Sequence, residues 1–295
     1  MKIALTGRLA NPRIAERILR LTALLEARGA SLCCSSELAE MLEKAAGTPC
    51  APKERFSGGL PADVSMLLAL GGDGTFLGSL ELLAGRDIPV AGINLGRLGF
   101  LTSAAMDSDS PEWVDDLLQG RYSLIEREIL KVEGTDALPD GFFPYALNEF
   151  SLHREQGGML PVCITVDGSP LPTFWADGVL IATPTGSTAY SLSLGGPVVF
   201  PGSGVTLITP LAPHNLNVRP LVIPPGATVG VSFPDSQGNV ILTADSRPVV
   251  IPCGETLSIK RGEFTLKCIS FGDNNFIKAL TTKLFWGEDR RNNTI

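Results

Sequence analysis

The sequence VSMLLALGGDGT, residues 64–75, decides the fold of this 295-residue chain. Its first part, residues 64–70, is a nearly unbroken apolar run of the kind found in a strand that is buried on both faces. Glycines occupy three of the next four positions, and the leucine-bearing residues 76–85 predict a helix. A glycine-rich turn between a strand and a helix is where α/β proteins bring backbone N–H groups close to phosphate.

Strand and helix patterns alternate along the rest of the first part of the chain. The predicted strands are residues 2–6, 30–34 and 88–93, and the predicted helices are residues 12–28 and 37–46. Such alternation favours a parallel, Rossmann-like sheet with helices on its faces. We therefore expect an α/β domain over residues 1–120, which contains the glycine-rich turn.

The pattern then changes to short apolar segments separated by glycine and proline. Most of the 22 prolines lie in this second half, as expected for the loops and strand ends of a β domain. We expect an all-β, sandwich-like domain over residues 121–270. Residues 275–286 return to a helical pattern with one apolar face, so the tail, residues 271–295, is expected to pack back on the first domain.

Charge and cysteine content limit the partners and the compartment. The chain has 24 basic and 31 acidic residues, a net charge of −7, which argues against binding to nucleic acid or to an anionic membrane. No segment is apolar over the length that spans a bilayer, and the N-terminal apolar run is too short for a signal peptide. The six cysteines include no C-x-x-C pair, so we expect no zinc site and a reducing, cytoplasmic location.

An acidic residue inside the glycine-rich turn points to chemistry. The Asp73 carboxylate repels phosphate unless a cation lies between them or unless the carboxylate handles a proton. This favours phosphoryl transfer over simple anion binding. The turn is not a Walker A loop, because no Lys-Ser/Thr pair follows, and Leu77 stands where G-x-G-x-x-G has its third glycine. The spacing alone equally allows a tight turn in which Asp73 is a helix cap.

A second segment, residues 176–193, places a hydroxyl-rich turn between a short apolar strand and a short helix. The helix is expected to stop at the Gly-Gly-Pro of residues 195–197. Thr185, Ser187 and Thr188 are candidate helix caps, and the free N–H groups of the first turn favour an anion. Six serine and threonine hydroxyls lie between residues 183 and 193, which is more than capping needs and favours a ligand site.

Two further segments carry candidate ligand residues. Asn148 and Glu149 form a pair in which the carboxylate accepts bonds from vicinal sugar hydroxyls and the amide bonds a base edge, although a solvated strand face is the alternative. The glycines of residues 92–101 indicate close backbone approach to a ligand or a bend. In that segment Phe100 is suited to stacking on a ring or to filling the core, and Arg97 to phosphate or to the surface.

Taken in order, these segments resemble the NAD kinases (ATP-NAD kinases). The resemblance rests on GGDGT at 71–75, NLGRLGF at 94–100, NE at 148–149, DGVLIATPTGSTAYS at 177–191 with GGP at 195–197, and KLFWG at 283–287. GGDGT is shared with diacylglycerol and sphingosine kinases and, more loosely, with phosphofructokinases. TPTGSTAY is far more specific.

The resemblance implies that ATP donates its γ-phosphate to the 2′-hydroxyl of the adenosine ribose of NAD, giving NADP, with Mg²⁺ or another divalent metal as cofactor. It also implies an N-terminal α/β domain, a C-terminal β domain, a tail packed on the first domain, and a homodimer or homotetramer. No side chain is assigned to the metal.

The resemblance also implies roles for individual residues. Asp73 would be the catalytic acid/base. Four turn residues would face the ATP phosphates: Gly71, Gly72, Gly74 and Thr75. The dinucleotide site would contain Asp73, Gly74, Phe100, Asn148, Glu149, Asp177, Thr185, Thr188, Ala189, Tyr190 and Ser193.

Two positions depart from the commoner family pattern. Trp175 stands where members vary, a position related to the choice between NAD and NADH. Residues 245–247, Asp-Ser-Arg, replace the commoner Asp-Gly-Gln, which we interpret as a turn difference.

Two other functions remain open from the sequence. A lipid kinase shares Gly-Gly-Asp-Gly-Thr, but the segment 185–190 argues against it. A dinucleotide-binding sensor with a decayed active site is the other alternative, and the intact Asp73 and Glu149 argue against decay.

Overall fold

The computed structural model describes residues 1–8, 12–49, 52–95, 99–106, 111–234, 238–272 and 276–287. The chain divides into two compact units, of which the first contains Met1–Ile125 with Lys267–Ile295 and the second contains Glu126–Leu266. The division after residues 120 and 270 that the sequence suggests stays a prediction, and the two compact units are described below.

The first unit is built on a parallel sheet. Its strands are β1 (Lys2–Gly7), β2 (Ser31–Ser35), β3 (Glu54–Phe56), β4 (Met66–Leu70), β5 (Val90–Asn94) and β6 (Ala104–Ala105). They run in the order β5-β4-β1-β2-β3, every pair is parallel, and β6 pairs with β5. The central strand β4 is buried along its whole length, as its apolar sequence predicts.

Helices accompany these strands in the expected alternation. They are α1 (Pro12–Ala27), α2 (Ser36–Ala46), α3 (Asp73–Leu83) and α4 (Trp113–Leu118). On α1 the side chains of Ile18, Leu21 and Leu25 are fully buried, because their spacing places them on one face. The helix α2 begins at a Ser35 cap, whose hydroxyl accepts the Leu38 N–H at 3.3 Å, and ends at Gly47 in the left-handed region.

The C-terminal helix belongs to the first unit, which confirms the expectation for the tail. This helix, α6, spans Phe276–Leu284 and buries Ala279 and Leu280. Strand β19 (Thr256–Ser270) begins in the second unit and ends in the first, where Cys268 pairs with Val90.

The second unit contains two antiparallel sheets. Strand β7 (Ser123–Glu133) begins in the first unit and continues into the second. The other strands of the second unit are β8 (Tyr145–Ala146), β9 (Glu149–Arg154), β10 (Leu160–Val166), β11 (Ser169–Pro170), β12 (Phe174–Ala176), β13 (Gly178–Ala182), β14 (Thr206–Leu211), β15 (Leu221–Ile223), β16 (Val229–Ser232), β17 (Asn239–Ala244) and β18 (Arg247–Pro252). One sheet has the order β15-β14-β13-β9-β17-β18, and in the other β10 and β19 flank β16. A single apolar cluster contains side chains of both sheets, among them Phe150 and Val231. The predicted fold class, an α/β domain followed by a β domain with sandwich-like packing, is confirmed.

The short elements are where the prediction is incomplete. The three-residue strand β3 was not predicted, because its sequence Glu-Arg-Phe lacks an apolar run. In the described ranges of the chain, no helix has the length and apolar character needed to cross a membrane.

Candidate functional site

The turn of residues 71–75 is shaped by glycine. A Cβ built on Gly71 would overlap the Thr75 hydroxyl, so no other residue fits there without a shift. The Thr75 N–H donates to the Gly72 carbonyl at 3.0 Å, and α3 begins directly after Gly72. The interpretation of Asp73 as a helix cap is wrong, because Gly72 occupies the cap position and Asp73 is the first helical residue.

The Asp73 carboxylate is held by the backbone of a second motif. Its Oδ2 accepts the Phe100 N–H at 2.8 Å, and its Oδ1 accepts the Leu101 N–H at 3.0 Å. A Cβ built on Gly99 would overlap this carboxylate, so the site requires glycine at that position. Two segments that the sequence analysis treats separately are therefore brought together. Arg97 lies outside the described residues.

Phe100 does not fill the core. It is half-buried, and the ammonium of Lys283 on α6 lies 4.7 Å from the centre of its ring, a cation–π distance. The ring is therefore already engaged by a cation that lies 183 positions away in the sequence.

The Asn148–Glu149 pair is buried. Each residue is 8 % exposed, so the alternative of a solvated strand face is wrong. The Asp245 carboxylate accepts the backbone N–H groups of Leu147, Asn148 and Glu149. The Asn148 carbonyl accepts the Thr183 N–H at 2.9 Å. The pair therefore sits on a backbone segment that is bonded on both sides.

Glu149 has the electrostatics of a functional carboxyl. Burial, and then the negative charge of Asp245, raise its pKa from the ordinary 4.5 to about 8. Its Oε2 is buried and bonds to no other atom of the described residues. A buried carboxyl oxygen without a protein partner is costly to stability, which is typical of groups kept for a ligand.

The hydroxyl-rich turn is built differently from the prediction. Its two short helices, a 3₁₀ helix at Thr185–Thr188 and α5 at Tyr190–Ser193, have no side-chain cap bond, so the expected capping by Thr185, Ser187 and Thr188 is wrong. The Thr183 hydroxyl accepts the Gly186 N–H at 3.1 Å instead. A Cβ on Gly186 would overlap the Asn148 carbonyl, so the turn packs closely on the Asn148–Glu149 segment.

A cavity of about 490 Å³ in the second unit gathers residues of three predicted segments. Its lining contains Glu149, Asp177 and Tyr190 together with Ser151, His153, Arg154, Leu194, Leu211, Ala212, Thr243 and Asp245. Arg154 and Asp177 form an ion pair at 3.1 Å at this cavity. The tyrosine is 44 % exposed, which leaves its ring available to a ligand.

Other predicted site residues lie in the same unit but do not line this cavity. They are Asn148, Thr185, Thr188, Ala189 and Ser193. Thr185 is buried, whereas Ser193 is exposed. Trp175 lines a different cavity of about 530 Å³, together with Cys163 and Met159.

Arg127 and Asp245, two residues to which the sequence pattern assigns no role, contact the site. Arg127 Nη1 donates to the Thr185 hydroxyl at 3.1 Å, and its Nε is buried without a partner in the described chain. Asp245 is noted in the sequence only as part of a turn. Both contacts join residues far apart in sequence, 58 and 96–98 positions, so no local spacing reveals them.

Family models match both parts of the chain. One, described as the ATP-NAD kinase N-terminal domain, matches residues 3–122. The other, the ATP-NAD kinase C-terminal domain, matches residues 147–271.

Individual proteins agree with these models. The NAD kinase of Bacteroides fragilis is 35 % identical over 294 residues, which are 99 % of this chain and 100 % of the relative. The NAD kinase of Cytophaga hutchinsonii is 40 % identical over 228 residues, 77 % of each chain. Among solved structures, a yeast NADH kinase complexed with NADH has a TM-score of 0.83 at 25 % identity, covering 98 % of this chain and 89 % of that one. An NAD kinase from Archaeoglobus fulgidus in complex with ATP has the same fold, with a TM-score of 0.69 at 24 % identity and coverage of 93 % and 94 %.

Proposed function

The chain belongs to the ATP-NAD kinase family, and from that premise we propose that it transfers the γ-phosphoryl group of ATP to the 2′-hydroxyl of the adenosine ribose of NAD, giving NADP. The observation that carries the proposal is the cavity that gathers Glu149, Asp177 and Tyr190, one residue from each of three motif segments. A cavity with a few converging polar groups is the usual form of a small-molecule site.

In the proposed dinucleotide site, the Asn148–Glu149 pair binds the adenosine part. Glu149 offers a buried Oε2 without a protein partner, which suits it to bond with ribose hydroxyls. Ten residues complete the site: Asp73, Gly74, Phe100, Asn148, Asp177, Thr185, Thr188, Ala189, Tyr190 and Ser193. The yeast neighbour was solved with NADH, which supports a dinucleotide as the ligand of this fold.

The proposed catalytic base is Asp73. Each of its carboxylate oxygens accepts one backbone N–H, and a carboxylate oxygen has a second lone pair free for a hydroxyl proton. The two amides fix the orientation of the carboxylate, which is what a general base needs before its substrate arrives.

The reaction balances as an in-line displacement. The ribose O2′ attacks the γ-phosphorus of ATP, the bond from that phosphorus to the β,γ-bridging oxygen breaks, and ADP leaves with that electron pair. The O2′ proton goes to the Asp73 carboxylate. Because the transition state of such transfers is loose, the protein contributes mainly positioning and charge neutralisation.

The donor phosphates are proposed to face the backbone of the glycine-rich turn. Gly71, Gly72, Gly74 and Thr75 lie at the N-terminus of α3, where N–H groups and the helix dipole favour anions. The Archaeoglobus neighbour was solved with ATP, but at its level of identity it supports the fold alone.

Mg²⁺ is proposed as the companion of ATP. Among the described residues, no group of three His, Cys, Asp or Glu side chains is arranged to hold a metal ion. Mg²⁺ in phosphoryl-transfer sites binds through one or two carboxylates plus substrate phosphates, so these residues fit a metal that is delivered on the triphosphate. When bound, it would supply neutralisation of the phosphate charge.

The proposal is tested by incubating the purified protein with NAD, ATP and Mg²⁺ and detecting NADP. We expect NADP to form, and to stop forming when EDTA removes the metal. Parallel reactions with polyphosphate, NADH or diacylglycerol identify the donor, the redox form and a lipid kinase. Phosphorylation of diacylglycerol without NADP formation would contradict the proposal. Light scattering of the same sample measures whether the protein is the expected homodimer or homotetramer.

A further inference from the structure

The turn between β17 and β18 has an aspartate in an unusual backbone conformation. Ala244 pairs with Arg247 across this hairpin, so the turn consists of Asp245 and Ser246. Asp245 has a φ of 51°, in the left-handed region that aspartate tolerates better than most residues do. The adjacent pairing of Ala244 with Phe150 places this turn beside the start of β9.

The carboxylate of this aspartate is directed at the backbone of the Asn148–Glu149 segment. Oδ2 accepts the Leu147 N–H at 3.0 Å, and Oδ1 accepts the Asn148 N–H at 2.8 Å and the Glu149 N–H at 3.2 Å. The Asp245 N–H in turn donates to the Glu149 carbonyl at 2.9 Å. Charge-assisted bonds of this kind are stronger than bonds between neutral groups.

The opposite side of the same segment is held by the hydroxyl-rich turn. The Thr183 hydroxyl donates to the Leu147 carbonyl at 2.6 Å, and the Thr183 N–H donates to the Asn148 carbonyl at 2.9 Å. Gly186 packs against that carbonyl so closely that a Cβ would overlap it. Because its N–H groups and its carbonyls are both hydrogen-bonded, the segment of residues 147–149 is held in a single backbone conformation.

We propose that Asp245 is a positioning residue for NAD, whose carboxylate fixes the backbone that aims the Asn148 and Glu149 side chains at the adenosine. This inference rests on the proposed function, because it takes those two side chains as ligands of NAD. It adds to that function the residue that orients the Asn148–Glu149 pair, the carboxylate of Asp245.

The same carboxylate also acts on Glu149 electrostatically. Asp245 contributes to the raised pKa of Glu149, after burial. The other charged or titratable groups at this cavity are His153, Arg154, Asp177 and Tyr190. Burial raises the pKa of Asp245 itself, and the charge of Arg247 acts against that shift. Removing the Asp245 charge therefore lowers the pKa of Glu149, so the pH at which NAD affinity is lost on acidification moves down.

The test uses two variants that keep the turn and remove the carboxylate. Asp245→Gly accepts the positive φ without strain, and Asp245→Asn keeps the size of the side chain. Asp167→Asn is the matched control, because Asp167 also has a positive φ of 49° in a hairpin turn and its Oδ1 accepts the Thr228 N–H at 2.9 Å, away from the cavity.

We expect both Asp245 variants to raise the KM for NAD by roughly 10-fold or more while the KM for ATP stays within about twofold, since misplaced ligand groups weaken only their own substrate. The acid limb of NAD affinity should also move to lower pH, because both variants remove the Asp245 charge. The selective rise in the KM for NAD is the effect that a merely structural role would not cause. Asp167→Asn should leave both KM values unchanged.

Hydrogen exchange separates failure of this inference from failure of the proposed function. The amides of residues 147–149 should exchange faster in both Asp245 variants than in the wild type, whether or not the protein phosphorylates NAD. Slow exchange at these amides together with an unchanged KM for NAD in folded variants would overturn the inference. A wild-type protein that neither binds NAD in calorimetry nor makes NADP would overturn the proposed function instead.

Discussion

Asp73 in the first unit and Asp245 in the second are both bonded to the backbone of another segment, but we propose different roles for them. Each carboxylate accepts backbone N–H groups from a segment far away in sequence, residues 100–101 for Asp73 and residues 147–149 for Asp245. Asp73 is the first residue of a helix behind a glycine turn, whereas Asp245 sits in a left-handed hairpin turn beside Glu149.

The two carboxylates differ in how many backbone N–H groups they accept and so in how much acceptor capacity remains for a substrate. The Asp73 oxygens accept one amide each, which leaves acceptor capacity for a substrate hydroxyl. Oδ1 of Asp245 already accepts two amides. Asp245 accepts three amides in all and Asp73 two, so the carboxylate with more backbone bonds is assigned the positioning role and the one with fewer the role of base.

The largest effect is expected from removing the proposed catalytic base. Asp73→Asn should lower kcat by about 10²–10⁴-fold, because the amide cannot take the ribose proton. Steady-state assays measure the fall, and calorimetry should show NAD binding within a few-fold of wild type. Turnover that survives the substitution would end the proposed role of Asp73.

The next test displaces the same carboxylate without changing it. Gly99→Ala places a Cβ where the Asp73 carboxylate lies, so we expect about a 100-fold loss of kcat from misplacement alone. Gly78→Ala is the control, since its Cβ meets open space on α3. The control should keep full activity and gain about 0.5–1 kcal/mol of stability in denaturant unfolding. Equal activity of both variants would show that the position of the carboxylate is unimportant.

The third test concerns Glu149 in the second unit, both as a ligand of NAD and as a buried carboxyl that affects stability. Glu149→Gln should raise the KM for NAD by roughly 10-fold, because the amide keeps only one of the two carboxyl oxygens that can accept bonds from the ribose hydroxyls. Because the folded-state pKa of Glu149 is raised to about 8, wild-type stability falls as pH rises from the unfolded value toward 8. The Tm of the variant relative to wild type should therefore increase over that window in thermal scans. A difference in Tm that does not change with pH would contradict the burial argument.

The smallest expected effect concerns Arg127. Its bond to the Thr185 hydroxyl orients a proposed NAD residue, so Arg127→Met should raise the KM for NAD by about 3-fold to 10-fold. Thr185→Val and the double variant complete a mutant cycle. Additive effects in that cycle would mean that the two side chains act independently.

The sequence predicts the elements of this protein better than the contacts between them. Buried strands such as β4 and helices with clear stops such as α2 follow from local composition and spacing. The sequence also indicates the importance of the Asp73 carboxylate, because an acid in a glycine-rich turn is chemically unusual. Its bonds to residues 100 and 101 depend on where separate strands of a sheet end, which spacing alone does not fix.

The second unit shows the same limit more strongly. The Asn148–Glu149 pair was identified as a candidate ligand pair, yet its burial and its bonds to Asp245 arise from the pairing of β17 with β9. The prediction of side-chain caps in the hydroxyl-rich turn is wrong, because the Thr183 hydroxyl accepts the Gly186 N–H instead. Hydrogen-bond partners of this kind are settled by tertiary register rather than by local preference.

A crystal structure of the protein with NAD and a non-hydrolysable ATP analogue tests the role of Asp73 most directly. We predict one Asp73 carboxylate oxygen within about 2.6–3.2 Å of the adenosine ribose O2′, the reach of a general base. A ribose bound well beyond that distance, with Asp73 still engaged only by the amides of Phe100 and Leu101, would contradict it.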